Sequence, residues 1–212
     1  GNFGLGYMSA GGTDIAYTGK NSDNEIYSTG SFNYDSALVK GVYQFSLTPR
    51  VHAGVAIDYY SNSLGVTYGS GLNADFGLLT SLGNTDFSLI LKNVVRGSSL
   101  HYSESESEIL PFQVVLGLSQ RVYDVTLYGQ YRSVESQNQP LLSAGLQYQP
   151  GYLPMIQLFG SVKQYYSLDV PASTYALGMG LNLGAINFDY AYQKDDNIAY
   201  SNSNYFSMSY SF

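Results

Sequence analysis

The connections between strand-like segments of this chain are long and short by turns, and that rhythm limits its fold more than any motif does. Working back from the C-terminus, "KDDNIAYSN" is long and the link around Leu183-Gly184 is tight. "QYYSLDVPAS" is long and "QPGYLP" short, and "SVESQNQ" is long and "VYD" very short. The same order continues with "RGSSLHYSESESEIL" against "SLGNTD" and "SNSLGVTYGSG" against "SLTPR". The first connection, from about Gly11 to Ser31, is the longest. A soluble meander has no reason to sort its connections by end. A β-barrel that crosses a membrane does, because one rim carries short turns and the other longer loops.

The segments between these connections alternate with period 2. In "NYFSMSYSF", Phe206, Met208, Tyr210 and Phe212 alternate with Ser207, Ser209 and Ser211. In "AINFDYAYQK", Ile186, Phe188, Tyr190 and Tyr192 alternate with Asn187, Asp189, Ala191 and Gln193, and "VHAGVAIDYY" behaves alike. Such alternation gives a strand two unlike faces, and no segment has a helical period of useful length. The pattern predicts an all-β chain: a closed, antiparallel, up-and-down transmembrane barrel of about 12 strands (12–14), one domain over residues 1–212. Closure follows because lipid offers no partner to an open sheet edge. An even strand count places both termini on the side of the short turns, the periplasmic side of a bacterial outer membrane. Phe206, Met208 and Tyr210 are then expected to face lipid, with Phe212 at the periplasmic rim.

Composition supports this reading. Charged residues are 12% of the chain, about half of the ~25% usual in soluble domains. No run approaches the ~20 apolar residues of a membrane-spanning helix, which leaves barrels untouched. The absence of cysteine removes disulfides and cysteine-based metal clusters. A net charge of -7 and the lack of a basic stripe disfavour nucleic acid as a partner. Gly1-Asn2-Phe3 already reads as strand, so an exported chain of this sequence is expected to be a mature or trimmed form.

Function is sought on the Ser/Gly/Gln face. Lys40, Lys92, Arg121, Arg132 and Lys163 fall on it, as do His52, Asp58, Asp75 and Asp189. Lumen charges tune selectivity, so five bases against three acids suggest a mildly anion-favouring interior; the alternative is that these charges pair across the lumen and fill it. Leu79, Ile90, Val115 and Phe159 on the same face would narrow it and make it partly apolar. The connections are acidic. In "SESESE", Glu104, Glu106 and Glu108 share one side of an extended segment, a weak candidate for a divalent cation and otherwise a solvated loop. The only histidines, His52 and His101, stand far apart in sequence, and no catalytic or phosphate-binding motif occurs. No enzyme activity and no cofactor are expected.

Several segments, in order, resemble the FadL/PorV-like superfamily of bacterial outer-membrane proteins. The stretch "GNFGLGYMSAGGTDIAYTG" is similar to that family's early strand region, and "LILKNVV" to its Leu-Lys-Asn-Val motif. "LPFQVVLGLSQR" and "YALGMGLNLGAINFDYAYQ" resemble its later strands, and Phe212 its terminal assembly signal. The family usually has fourteen strands and an N-terminal plug, where about twelve strands and no plug are read here. The resemblance implies a transport or binding barrel for small hydrophobic or amphipathic molecules, seated in the lipid bilayer. Its alternatives are a non-transporting adaptor for other outer-membrane or periplasmic chains, and a diffusion porin for small solutes.

Overall fold

The computed structural model describes residues 1–23, 25–103, 107–167, 170–196 and 202–210. It is an all-β, antiparallel arrangement. The strands are β1 (Asn2–Lys20), β2 (Ile26–Thr48), β3 (Val51–Leu64), β4 (Thr67–Leu82), β5 (Thr85–Lys92), β6 (Ser99–Tyr102) and β7 (Glu108–Ile109). They continue with β8 (Gln113–Val122), β9 (Val125–Val134), β10 (Leu141–Tyr148), β11 (Ile156–Ser167), β12 (Val170–Asn182), β13 (Ile186–Asp195) and β14 (Ser203–Tyr210). The paired order is β1-β2-β3-β4-β5-β8-β9-β10-β11-β12-β13-β14, with chain neighbours adjacent except where β5 meets β8.

Two expectations are corrected here. The strands number 14 rather than about twelve, because β6 and β7 form a short hairpin off the main path. β6 takes over the edge of β4 at Gly69↔Tyr102 and Ser70↔His101. Between β5 and β6 the backbone takes positive φ at Asn93 (56°) and Gly97 (77°). Strands β6 and β7 both lie within "RGSSLHYSESESEIL", the stretch read above as one long connection. The expected closure is also not part of the pairing, since the order opens at β1 and ends at β14.

A third correction concerns the long connections. β1 and β2 pair almost to their tip, and only Asn21 to Glu25 separate them. Asn21 organises that tip, its side-chain oxygen accepting from the backbone N–H of Asp23 at 3.0 Å and of Glu25 at 2.8 Å. The stretch looked like a loop because a bulge between Gly12 and Ile15 inserts an extra residue, with Asp14 at φ 55°. Such an insertion switches the face on which every later residue points, so the alternation reads as broken. β3 and β4 likewise run on until only Gly65 (φ 61°) and Val66 join them. The opposite ends are short as expected: Pro49-Arg50, Gly83-Asn84 and Tyr123-Asp124 each complete a hairpin.

The chain falls into two units, Gly1–Leu78 with Ile90–Gln113, and Leu79–Leu89 with Val114–Phe212. In the first, register fixes the two faces of the sheet. Lys40 lies opposite Asp58, Val42 opposite Ala56 and Ser36 opposite Asn62, while Val39 meets Tyr59 and Tyr43 meets Val55 on the other side. Along β3, Ala56 and Asp58 are buried at 7% and 0% exposure, yet Ile57 between them is 64% exposed. Phe3, Leu5 and Tyr7 of β1 are exposed on the same apolar side. This inverts the usual partition, in which large apolar groups are inside and carboxylates outside.

The second unit repeats the inversion. Leu127, Leu146, Leu158, Met179 and Phe188 lie on one face and are all exposed. Gln130, Ser143, Lys163 and Thr174 form a cross-strand row on the other.

Because β3 first meets β2 at Tyr34↔Leu64 and Gly65 N–H donates to Asn33 O, residues 26–32 of β2 pair only with β1. A two-stranded ribbon is marginal alone. Hydrogen–deuterium exchange is expected to show residues 26–32 losing protection at least tenfold faster than residues 38–44, which bond on both sides. Equal protection would contradict that register.

Candidate functional site

The most organised polar site lies in the first unit. β2 delivers Lys40, β3 delivers Asp58 and β4 delivers Asp75, all on the polar face. The Lys40 Nζ stands 2.8 Å from each Asp58 oxygen and 2.6 Å from Asp75 Oδ2. Asp58 is fully buried and Asp75 nearly so, at 0% and 7% exposure. The second Asp75 oxygen accepts from the backbone N–H of Asn93 at 2.9 Å. Asn93 in turn donates its side-chain amide to the Pro111 carbonyl at 2.9 Å, and its side-chain oxygen accepts from the Tyr60 hydroxyl at 3.4 Å.

Buried charges persist where they are paired: Lys40 is shared by the two carboxylates, Asp75 has both oxygens hydrogen-bonded, and Asp58 Oδ1 is held by the ion pair alone. One ammonium serves two carboxylates, leaving a formal excess of one negative charge. The 93–95 end of the 93–111 segment is also held to β4, since Val94 N–H donates to Ala74 O at 2.9 Å and Asn73 Oδ1 accepts from Val95 N–H at 3.1 Å, and the Pro111 end is tied to Asn93. A second polar chain runs alongside it: Ser36 donates to Asn62 at 2.8 Å, Asn62 to the Tyr102 hydroxyl at 3.3 Å, and Tyr102 to Glu108 at 3.0 Å.

Of the residues singled out in the sequence, the structure thus brings together Lys40, Asp58 and Asp75. His52 is half-buried and hydrogen-bonded to Ser46 at 2.9 Å. Asp189 is exposed and accepts from Ser207 at 3.1 Å. Lys92 and Arg132 are half-buried, whereas Lys163 and Arg121 are exposed. Val115 is buried and Leu79 and Ile90 are exposed. Glu108 belongs to β7 and is engaged by Tyr102, while Glu104, Glu106 and Phe212 lie outside the described residues. Phe206 and Met208 are 81% and 72% exposed. Among the described residues no three His, Cys, Asp or Glu side chains gather where they could hold a metal ion.

Asn93 and Tyr60 complete the site and were not singled out. A signal existed for Asn93: it sits in the Leu-Lys-Asn-Val stretch directly after the strand, where an Asn tolerates positive φ.

No family profile matches the chain, and no curated protein matches it. Among solved structures it is similar to mutant forms of Rh. blastica porin. For one the TM-score is 0.46 at 10% identity, covering 100% of this chain and 90% of that chain. For a second the TM-score is 0.45, again at 10% identity and with the same coverage.

Removing the shared ammonium should be costly. Lys40→Met strands two carboxylates, and breaking a buried pair costs roughly 3–5 kcal/mol. Because the Lys40 side chain keeps 30% of its exposure, a loss of about 2–3 kcal/mol is expected in urea unfolding. Adding Asp58→Asn and Asp75→Asn to Lys40→Met should recover part of that loss.

Proposed function

We propose that the chain is an integral β-barrel of the bacterial outer membrane, closed into one domain, whose polar face lines a passage for small hydrophobic or amphipathic molecules. One observation carries this reading: the inverted burial of the strands, with Ile57 at 64% exposure beside Asp58 at 0%. The exposed apolar residues are not scattered. Register sets Phe3, Tyr43 and Val55 in one cross-strand row and Tyr7, Val39 and Tyr59 in another. A soluble monomer rarely exposes so continuous an apolar surface. In lipid the same surface is satisfied, and the buried Asp, Asn and Lys groups belong to an interior screened from hydrocarbon.

Closure follows from the same solvent. The unpaired N–H and C=O groups on the outer edges of β1 and β14 would each cost several kcal/mol in hydrocarbon. Both Asn2 and Tyr210 lie at strand ends near the tight turns, next to the Thr48 and Ile186 ends of their hairpins. On this reading both termini are periplasmic.

The passage is read from the polar face of the second unit, where Ser, Gly and Gln side chains mix with Leu79 and Phe159 around a cavity of about 500 Å³. Two measurements test the proposal. Ile57→Lys should destabilise the bilayer-inserted protein by about 2–4 kcal/mol if position 57 is near the midplane, against at most ~0.5 kcal/mol at an ordinary wet surface. In planar bilayers the purified chain should give discrete current steps. A chain that inserts but stays silent and co-purifies with other chains would favour an adaptor role, and a monodisperse monomer in detergent-free buffer would sink the membrane reading.

A further inference from the structure

We propose that the polar face of the second unit carries a binding site for a flat aromatic monocarboxylate, anchored by Lys163. The site deepens the passage proposed above and rests on that face being sheltered from lipid.

Cross-strand register builds it in rows. Gln130 lies opposite Ser143, and Ser143 opposite Lys163. Two residues along each strand, Tyr128 lies opposite Gly145 and Gly145 opposite Ser161. Phe159 is two residues further along β11. All of these line one cavity of about 500 Å³, within the roughly 300–1,000 Å³ of small-molecule sites.

Lys163 supplies the charge. Both ion pairs found among the described residues belong to Lys40, so among those residues no carboxylate pairs with the Lys163 ammonium. The one carboxylate lining the cavity, Asp86, is already engaged by the hydroxyls of Ser81 at 2.7 Å and Ser119 at 3.0 Å. A single unpaired ammonium with the hydroxyls of Ser143 and Ser161 nearby matches one carboxylate group. A cation or a neutral solute would leave the Lys163 ammonium without a partner.

The rest of the cavity sets the shape of the ligand body. Gly145 leaves bare backbone as a floor: a Cβ built there would come no nearer than 3.5 Å to any neighbouring atom, the Gly160 carbonyl oxygen. The Tyr128 hydroxyl donates to Gln147 at 2.8 Å, which fixes its ring at one side. The Phe159 ring on the other side tilts over Gly180, its edge 3.3 Å from where a Cβ on that glycine would stand. A glycine floor in a cavity lined by the Tyr128 and Phe159 rings suits an aromatic body, which gains ring contacts an alkyl chain cannot make.

The test uses the full chain in lipid nanodiscs and measures equilibrium binding of 2-naphthoate against empty nanodiscs. Incorporation into the discs is scored first, so that failure to insert counts against the barrel and failure to bind counts against the site alone. Saturable binding is expected, weakened at least about tenfold in Lys163→Gln, since a hydrogen bond to a charged group is lost, and restored in Lys163→Arg. Gly145→Leu, which fills the floor and keeps the charge, should abolish it. The neutral analogue 2-naphthylmethanol and the alkyl carboxylate decanoate should each bind at least tenfold more weakly. Unchanged affinity in Lys163→Gln, or decanoate binding as tightly as 2-naphthoate, would overturn the assignment.

Discussion

The backbone hydrogen-bond ladder is the constraint on which everything else in this protein depends. Once Lys40 is opposite Asp58 and Val39 opposite Tyr59, every residue of β2 and β3 has its face assigned. A slip of one position would carry Asp58 to the apolar side and Ile57 to the polar one. Such a slip is opposed from both sides, because it would bury Ile57 against a carboxylate and strand Lys40 on a surface made of Val55, Ile57 and Tyr59. Side-chain chemistry selects the register, and the register then delivers the polar groups to one another.

The two units use their polar faces differently. In the first, charges are spent on each other: Lys40 is closed off by Asp58 and Asp75, and Asn93 and Tyr60 complete the shell. The polar groups there hold the 93–111 segment against β4. In the second, the acid Asp86 is hydrogen-bonded by two hydroxyls instead of a base, and Lys163 has no ion pair among the described residues. A satisfied charge cluster is a structural fastener, whereas an unpaired ammonium beside an open cavity is available to a ligand.

The all-β character was legible from period 2 alone, and so were the two faces over residues 51–60, 142–148, 175–182 and 186–193. The assignment of Lys40, Asp58 and Asp75 to one face was legible too, but their meeting was not, because it depends on which strands are neighbours and at what offset. The reach of β1 and β2 was hidden by the bulge at Asp14, which resets the alternation that a reader follows. The ends of β3 and β4 were hidden differently. Ser61, Asn62 and Ser63 in succession offer no apolar partner to mark a face, so a ladder looks like a loop. The strand count fell short at β6 and β7, because elements of four and two residues amid Ser and Glu are too short to show an apolar period.

The central claim is that alternate residues of one strand face lipid and a polar interior. Spin labels placed singly at residues 54 to 60 in the bilayer-reconstituted protein measure this directly, through their accessibility to oxygen, which concentrates in hydrocarbon, and to a water-soluble nickel complex. Labels at 55, 57 and 59 are expected to be accessible to oxygen and shielded from nickel, and those at 54, 56 and 58 to be shielded from oxygen. Accessibility to nickel at 55, 57 and 59 would mean that the apolar face meets water, and would contradict the account.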